Sequence, residues 1–206
     1  EFVEDRVSLH PILAECRVTK SAHEIALMAH VAQVSSGAHV RAMRLACAGV
    51  MEYELEAAFQ HECYAGAGCR FQAYTAICAC GPNSAVLHYG HAAAPNDRRL
   101  AAGDMALLDM GAEYHCYAAD ITCSFPVGAG REPRGAPGGG GGTFSPRQAA
   151  VYSGVLGAQR AVIARMRPGA DWAEMHRLAS RVVLAALRDD PALGVVRKGV
   201  SLDAAQ

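Results

Sequence analysis

The segment Asp104-Met105-Ala106-Leu107-Leu108-Asp109-Met110 sets a carboxylate inside an apolar, strand-forming run, and Ala119-Asp120-Ile121-Thr122-Cys123 repeats the arrangement shortly afterwards. A charge in an apolar strand is expensive unless something pairs with it. The residues between can return as a hairpin. With the tip at Tyr114-His115, Asp109 and Asp120 stand directly opposite one another, their Cβ atoms roughly 5 Å apart. Facing carboxylates repel, so either one is protonated or a cation lies between them. Carboxylate oxygens suit hard divalent ions such as manganese. The competing reading turns one or both toward solvent, or has Asp109 cap a turn at Gly111.

Around this pair the chain alternates helix and strand signals. Ser21 and Glu24 form a capping box for a helix to about Ala48, with Ser35-Ser36-Gly37 as a point where it could break and Gly49 as its terminator. A second helix is expected from about Glu52 to Tyr64, with Leu55, Phe59 and Cys63 on one face. Tyr74–Cys80 reads as a strand stopped by Gly81-Pro82-Asn83, and Val86–Tyr89 as a short strand or extended loop. Asp104–Met110 and Tyr117–Phe125 complete the strands. Ser145-Pro146 opens a third helix to about Met166, and Asp171 caps a fourth to about Arg188. This order points to an α+β fold with a mainly antiparallel sheet.

Two stretches stand apart. Residues from about 129 to 143 hold the five-glycine run Gly138–Gly142 and read as a flexible insert; a phosphate-cradling loop would also need a preceding strand and a lysine in register. Residues 189–206 show no period and read as an irregular tail, a truncation or a divergent end.

Composition narrows the function. Of 206 residues, 51% are apolar and 19% charged, with a formal net charge of -1, which excludes a disordered chain and gives no footprint for nucleic acid or anionic membrane. No run of about 18 apolar residues is present. The eight cysteines lack zinc-site spacing and read as reduced core residues, which with the lack of a signal-peptide pattern suggests the cytoplasm. His88, in Leu87-His88-Tyr89-Gly90-His91, is either a general acid/base or oxyanion stabiliser, or a structural histidine. His23, His30, His39, His61 and His176 fall on expected helices without a His-Glu-x-x-His pattern, and no Gly-x-Ser-x-Gly elbow or dinucleotide fingerprint occurs.

Five segments together resemble a known family: Gly49-Val-Met-Glu-Tyr-Glu-Leu-Glu56, Ala85-Val-Leu-His-Tyr-Gly-His91, Ala94-Pro-Asn-Asp97, Gly103-Asp-Met-Ala-Leu-Leu-Asp-Met-Gly111 and Ala119-Asp-Ile-Thr-Cys-Ser-Phe-Pro126. They are similar to the prolidases, the Xaa-Pro dipeptidases (peptidase D), within the pita-bread metallopeptidases that include aminopeptidase P and methionine aminopeptidase. The two aspartate motifs belong to the wider family, and His-Tyr-Gly-His followed by Ala-Pro-Asn-Asp narrows the likeness to prolidase.

The resemblance implies the first half of a pita-bread catalytic domain, over about residues 21–188, with residues 1–20 leading in from an N-terminal domain that this chain does not carry. It implies two manganese ions per complete site, with Asp109 and Asp120 as ligands. It also implies a substrate-side role for His88 in placing the peptide and stabilising the transition state, and a pocket position for Tyr74. The implied reaction is attack of metal-activated water on a dipeptide ending in proline or hydroxyproline, in a homodimer. The family's other ligands, one histidine and two glutamates, come from the second half of the domain; Glu132, Glu174 and His176 do not match their context. The chain alone is therefore expected to be inactive. The alternatives are a non-catalytic scaffold of the same fold and an aminopeptidase P-type enzyme.

Overall fold

The computed structural model describes Asp5, Leu193 and residues 7–90, 96–130 and 141–189. Most of the glycine-rich insert and of the tail lies outside the described residues. The chain divides into two compact units, Glu1–Thr143 and Phe144–Gln206.

Among its described residues the first unit carries three α-helices and six strands. A short helix, α1 (Leu9–Cys16), falls in the segment read as a lead-in and buries none of its side chains. Helix α2 (Ala22–Leu45) starts at the expected capping box, Ser21 accepting from the Glu24 amide and Glu24 accepting from the Ser21 amide. Glu24 also accepts from the Tyr117 hydroxyl at 2.6 Å. That hydroxyl and the Ser21 donors hold its carboxyl down at about 2. The helix runs unbroken through Ser35-Ser36-Gly37. Val31, Ser35, Ala38, His39 and Ala42 make one buried stripe across that patch, and Ser35 Oγ accepts from the Ala112 amide at 3.1 Å. Burial of the stripe outweighs the weak local propensity. Helix α3 (Glu52–His61) buries Leu55 and Phe59, and its continuation as a π-helical turn, Glu62–Gly66, buries Cys63.

The strands form two antiparallel three-stranded sheets. One has the order β2 (Ile77–Cys80), β3 (Met105–Met110), β6 (Ile121–Pro126); the other has β1 (Phe71–Gln72), β4 (Ala112–Tyr114), β5 (Tyr117–Ala118). The expected strand from Tyr74 is therefore shorter, and Tyr74 precedes it in an irregular segment. Val86–Tyr89 is not a strand: after a 3-10 turn at Gly81–Ala85, Val86 is extended (φ -94, ψ 113) and the chain enters a tight turn in which His88 has φ 54. Along β3, Ala106, Leu108 and Met110 join the core shared with α2 and α3. Leu107 lies on the opposite face with Ile77, Ala79 and Tyr89. Asp109 shares the parity of Leu107, so it sits half-exposed on the face turned from the helices.

The hairpin register differs from the sequence expectation. Asp109 pairs with Thr122, Met110 with Ile121 and Tyr114 with Tyr117, so the tip is His115-Cys116. Both tip residues have positive φ, 47 and 68, as a two-residue turn matched to strand twist requires. Asp120 is thus diagonal to Asp109 rather than opposite it.

The second unit is a helical hairpin of α4 (Pro146–Arg165) and α5 (Trp172–Asp189). Ser145 and Gln148 cap α4 reciprocally, and Asp171 accepts from the Glu174 amide at 2.8 Å at the start of α5. The helices approach closely where Gly154 faces Ala186: a Cβ added at Gly154 would lie 2.9 Å from the alanine methyl.

Candidate metal centre

Three elements bring the candidate residues together. Strand β3 carries Asp109 near its end. The chain passes Gly111 into the β4–β5 hairpin and returns through Ala119 to Asp120, just before β6. Here the two passes are almost in contact: the Ala119 amide donates to Ala112 O at 2.9 Å, and a Cβ at Gly111 would stand 1.7 Å from the Ala119 carbonyl oxygen. Only glycine permits this approach. Alongside, the Ala73 amide donates to Gly111 O at 2.8 Å, which delivers the next residue, Tyr74, to the same place.

The Tyr74 hydroxyl bridges the two aspartates. It donates to Asp109 Oδ1 and lies 2.9 Å from Asp120 Oδ1. Burial, then its hydrogen bonds to Asp109 and Asp120, push the phenol pKa well up, so the hydroxyl keeps its proton. One O–H carries a single proton. Shared between two carboxylates, it leaves them short of positive charge. Behind the strand, His39 Nε2 lies 3.0 Å from Met110 O, tying α2 to the residue beside Asp109. Burial pushes the His39 pKa down, partly offset by the Met110 and Ile121 carbonyls and by Asp109, so the ring is held neutral. The Met110 contact is then donated from Nε2.

Two oxygen donors converging on one point suit a hard divalent cation. Among the described residues no group of three or more His, Cys, Asp or Glu side chains is arranged to hold a metal. Asp109 and Asp120 thus fit such an ion as part of a ligand set and do not define two ion positions by themselves. Glu132 lies outside the described residues. His88 is exposed on its turn between Leu87 and Tyr89.

Sequence reading missed Glu52. This carboxylate in the first turn of α3 is 0% exposed and accepts from the Cys80 amide (2.7 Å), Asn83 Nδ2 (3.2 Å), the Tyr89 hydroxyl (2.8 Å) and the Arg98 amide (3.1 Å). It also missed Asn96, 2% exposed, which donates to Glu56 Oε2 and Ala76 O and accepts from the Cys78 amide. The available signal was that both residues lie in segments carrying the family resemblance yet outside the aspartate motifs.

Residues 26–200 match Metallopeptidase family M24. The chain is 47% identical over 184 residues to the human Xaa-Pro dipeptidase, covering 89% of this chain and 35% of that protein. The structure superposes on aminopeptidase PepP from Pseudomonas aeruginosa with a TM-score of 0.79 at 38% identity, over 96% of this chain and 39% of the other. It superposes equally well, TM-score 0.79 at 31% identity, on zinc-substituted Escherichia coli aminopeptidase P in complex with product, over 94% of this chain and 39% of that one. The chain therefore spans little more than a third of the length of these relatives, within the pita-bread fold. The mixed helix and antiparallel-sheet architecture, the paired aspartates and the family match agree, and the chain belongs to metallopeptidase family M24.

Proposed function

We propose that this chain is the first half of the catalytic domain of an Xaa-Pro dipeptidase, and that Asp109 and Asp120 contribute two carboxylates to its metal centre. The observation that carries this reading is the convergence of both aspartates on the Tyr74 hydroxyl. When bound, divalent ions would supply Lewis-acid polarisation of the scissile carbonyl and activation of the attacking water. The chain's own part is to hold two negative oxygens at a fixed separation, with Tyr74 orienting both carboxylates, and to offer His88 as a hydrogen-bonding group for the substrate. The remaining ligands come from a further segment of polypeptide. Manganese as the metal, a homodimeric assembly and a cytoplasmic location belong to the same reading; they rest on the resemblance and, for location, on eight cysteines that are all free thiols. Greater identity to a dipeptidase than to the aminopeptidase P structures favours dipeptides ending in proline over longer Xaa-Pro peptides.

The test is hydrolysis of Gly-Pro and of a longer Xaa-Pro peptide with added Mn²⁺. It compares this chain, a version extended beyond Gln206, and the Asp120→Asn variant of each. The expected result is no turnover by the chain alone and Gly-Pro turnover by the extended protein, abolished in the variant. Turnover by the chain alone that Asp120→Asn removes would overturn the need for further ligands. Preference for the longer peptide would move the assignment to the aminopeptidase P type, and inactivity of both forms on both substrates would favour a non-catalytic scaffold.

A further inference from the structure

The turn that bears His88 belongs to no strand ladder. From Gly81 to Gly90 the chain forms a 3-10 turn, Gly81–Ala85, closed by Val86 N–H to Asn83 O at 3.0 Å, and then a turn held by Tyr89 N–H to Val86 O at 3.2 Å. His88 and Gly90 both sit in the left-handed region, at φ 54 and 90, and left-handed backbone at a non-glycine residue persists only when its surroundings impose it. Four donors in and around the turn end on one group. Glu52 takes the Cys80 amide at the entrance, the Asn83 amide in the middle, the Tyr89 hydroxyl next to His88 and the Arg98 amide beyond the exit. Its second oxygen also lies 3.3 Å from Asn83 Nδ2. Arg98 is itself fixed by Asp104 at 2.5 Å, and its guanidinium covers Gly81, where a Cβ would stand 2.7 Å from Nη1. Tyr89 packs its ring against Ile77 and Ala79 of β2, and burial followed by the Glu52 bond pushes its hydroxyl up to about 12. Glu56, one turn along α3, holds Asn96 and through it Ala76 and Cys78. One face of α3 therefore anchors both the His88 turn and the strand it leaves.

We propose that Glu52 is a positioning residue for His88: a buried anion that fixes the turn on which that imidazole is presented. The inference rests on the peptidase reading only for its consequence in catalysis. A glutamine keeps the shape but turns an NH₂ toward at least one of the four donors, so it cannot satisfy them all.

Amide hydrogen exchange on the full chain tests the anchoring. Glu52→Gln is expected to speed exchange at Val86 and Tyr89, neither of whose amides touches Glu52, by about tenfold or more, whereas Gly111→Ala, which strains the chain at the Ala119 carbonyl instead, leaves those two amides within about twofold. Tyr89→Phe, which keeps the ring and removes one donor, is expected to do the same by about threefold and covers the case in which Glu52→Gln does not fold. Unchanged exchange in the turn, or equal acceleration there by Gly111→Ala, would overturn the proposal. In the active protein, Tyr89→Phe should lower kcat for an Xaa-Pro substrate with KM nearly constant and Mn²⁺ affinity unchanged. A turn loosened without loss in kcat would overturn the positioning role. A wild-type protein that cleaves no Xaa-Pro peptide would sink the peptidase reading instead, leaving the exchange pattern to decide the anchor.

Discussion

Glu52 and the Asp109–Asp120 pair offer the same chemical group to opposite surroundings. Glu52 is sealed in the core, 0% exposed, with a donor on every side. Asp109 is half-buried, Asp120 is exposed, and the two share one hydroxyl. A buried carboxylate with its lone pairs satisfied is finished as a chemical group and acts as a fastener. Carboxylates held side by side with too few donors keep unused capacity, and that capacity is what a cation would take up. The contrast teaches that carboxylates in this chain divide by how many donors meet them, not by how apolar their sequence neighbours are.

Substitution should separate the two regions by sign. Glu52→Gln is expected to cost about 3 kcal/mol of stability, because it leaves buried donors without acceptors; equilibrium urea unfolding measures it, and a cost near zero would break the contrast. Gly111→Ala acts on the joint that brings the aspartates together. Its Cβ cannot coexist with the Ala119 carbonyl 1.7 Å away, so the strands must part, at about 2 kcal/mol in the same assay. Asp120→Asn should move the other way. In metal-free protein it relieves like-charge repulsion and raises stability by about 0.5 kcal/mol, visible as a small rise in Tm.

The smallest effect expected is a pH dependence behind Asp109. His39 has its folded pKa lowered below the usual 6.5. Its contribution is complete above about 6.5 and is lost as pH falls from there through the folded value, because the unfolded state binds the proton more readily. His39→Gln should flatten the fall in unfolding free energy between about pH 7 and pH 5; an unchanged slope would show that His39 is not the group responsible.

Much of the architecture is written locally. Ser21 with Glu24, Ser145 with Gln148, and Asp171 with the Glu174 amide start their helices as the residue types dictate, because a cap needs only neighbours three positions away. The alternation of Ala106, Leu108 and Met110 against Leu107 and Asp109 sets β3 and its two faces. The aspartate motifs carry the family in the same local way.

Local signals misplaced the features that depend on distant partners. Ser35-Ser36-Gly37 is a point where the expected helix could break, yet it continues, and Ser35 meets the Ala112 amide from the far side of the core. The turn at His115-Cys116 and the crowding at Gly111 set a register in which Asp120 lies diagonal to Asp109, which spacing along the chain could not choose. Glu52 carries no local signal beyond its place at the expected start of a helix. The sequence by itself determined where the capped helices and strand β3 lie and which residues carry carboxylates. Only the tertiary structure decided which carboxylate is sealed and which pair converges: the donors that satisfy Glu52 lie 28 to 46 residues away along the chain, and packing alone brings them within reach.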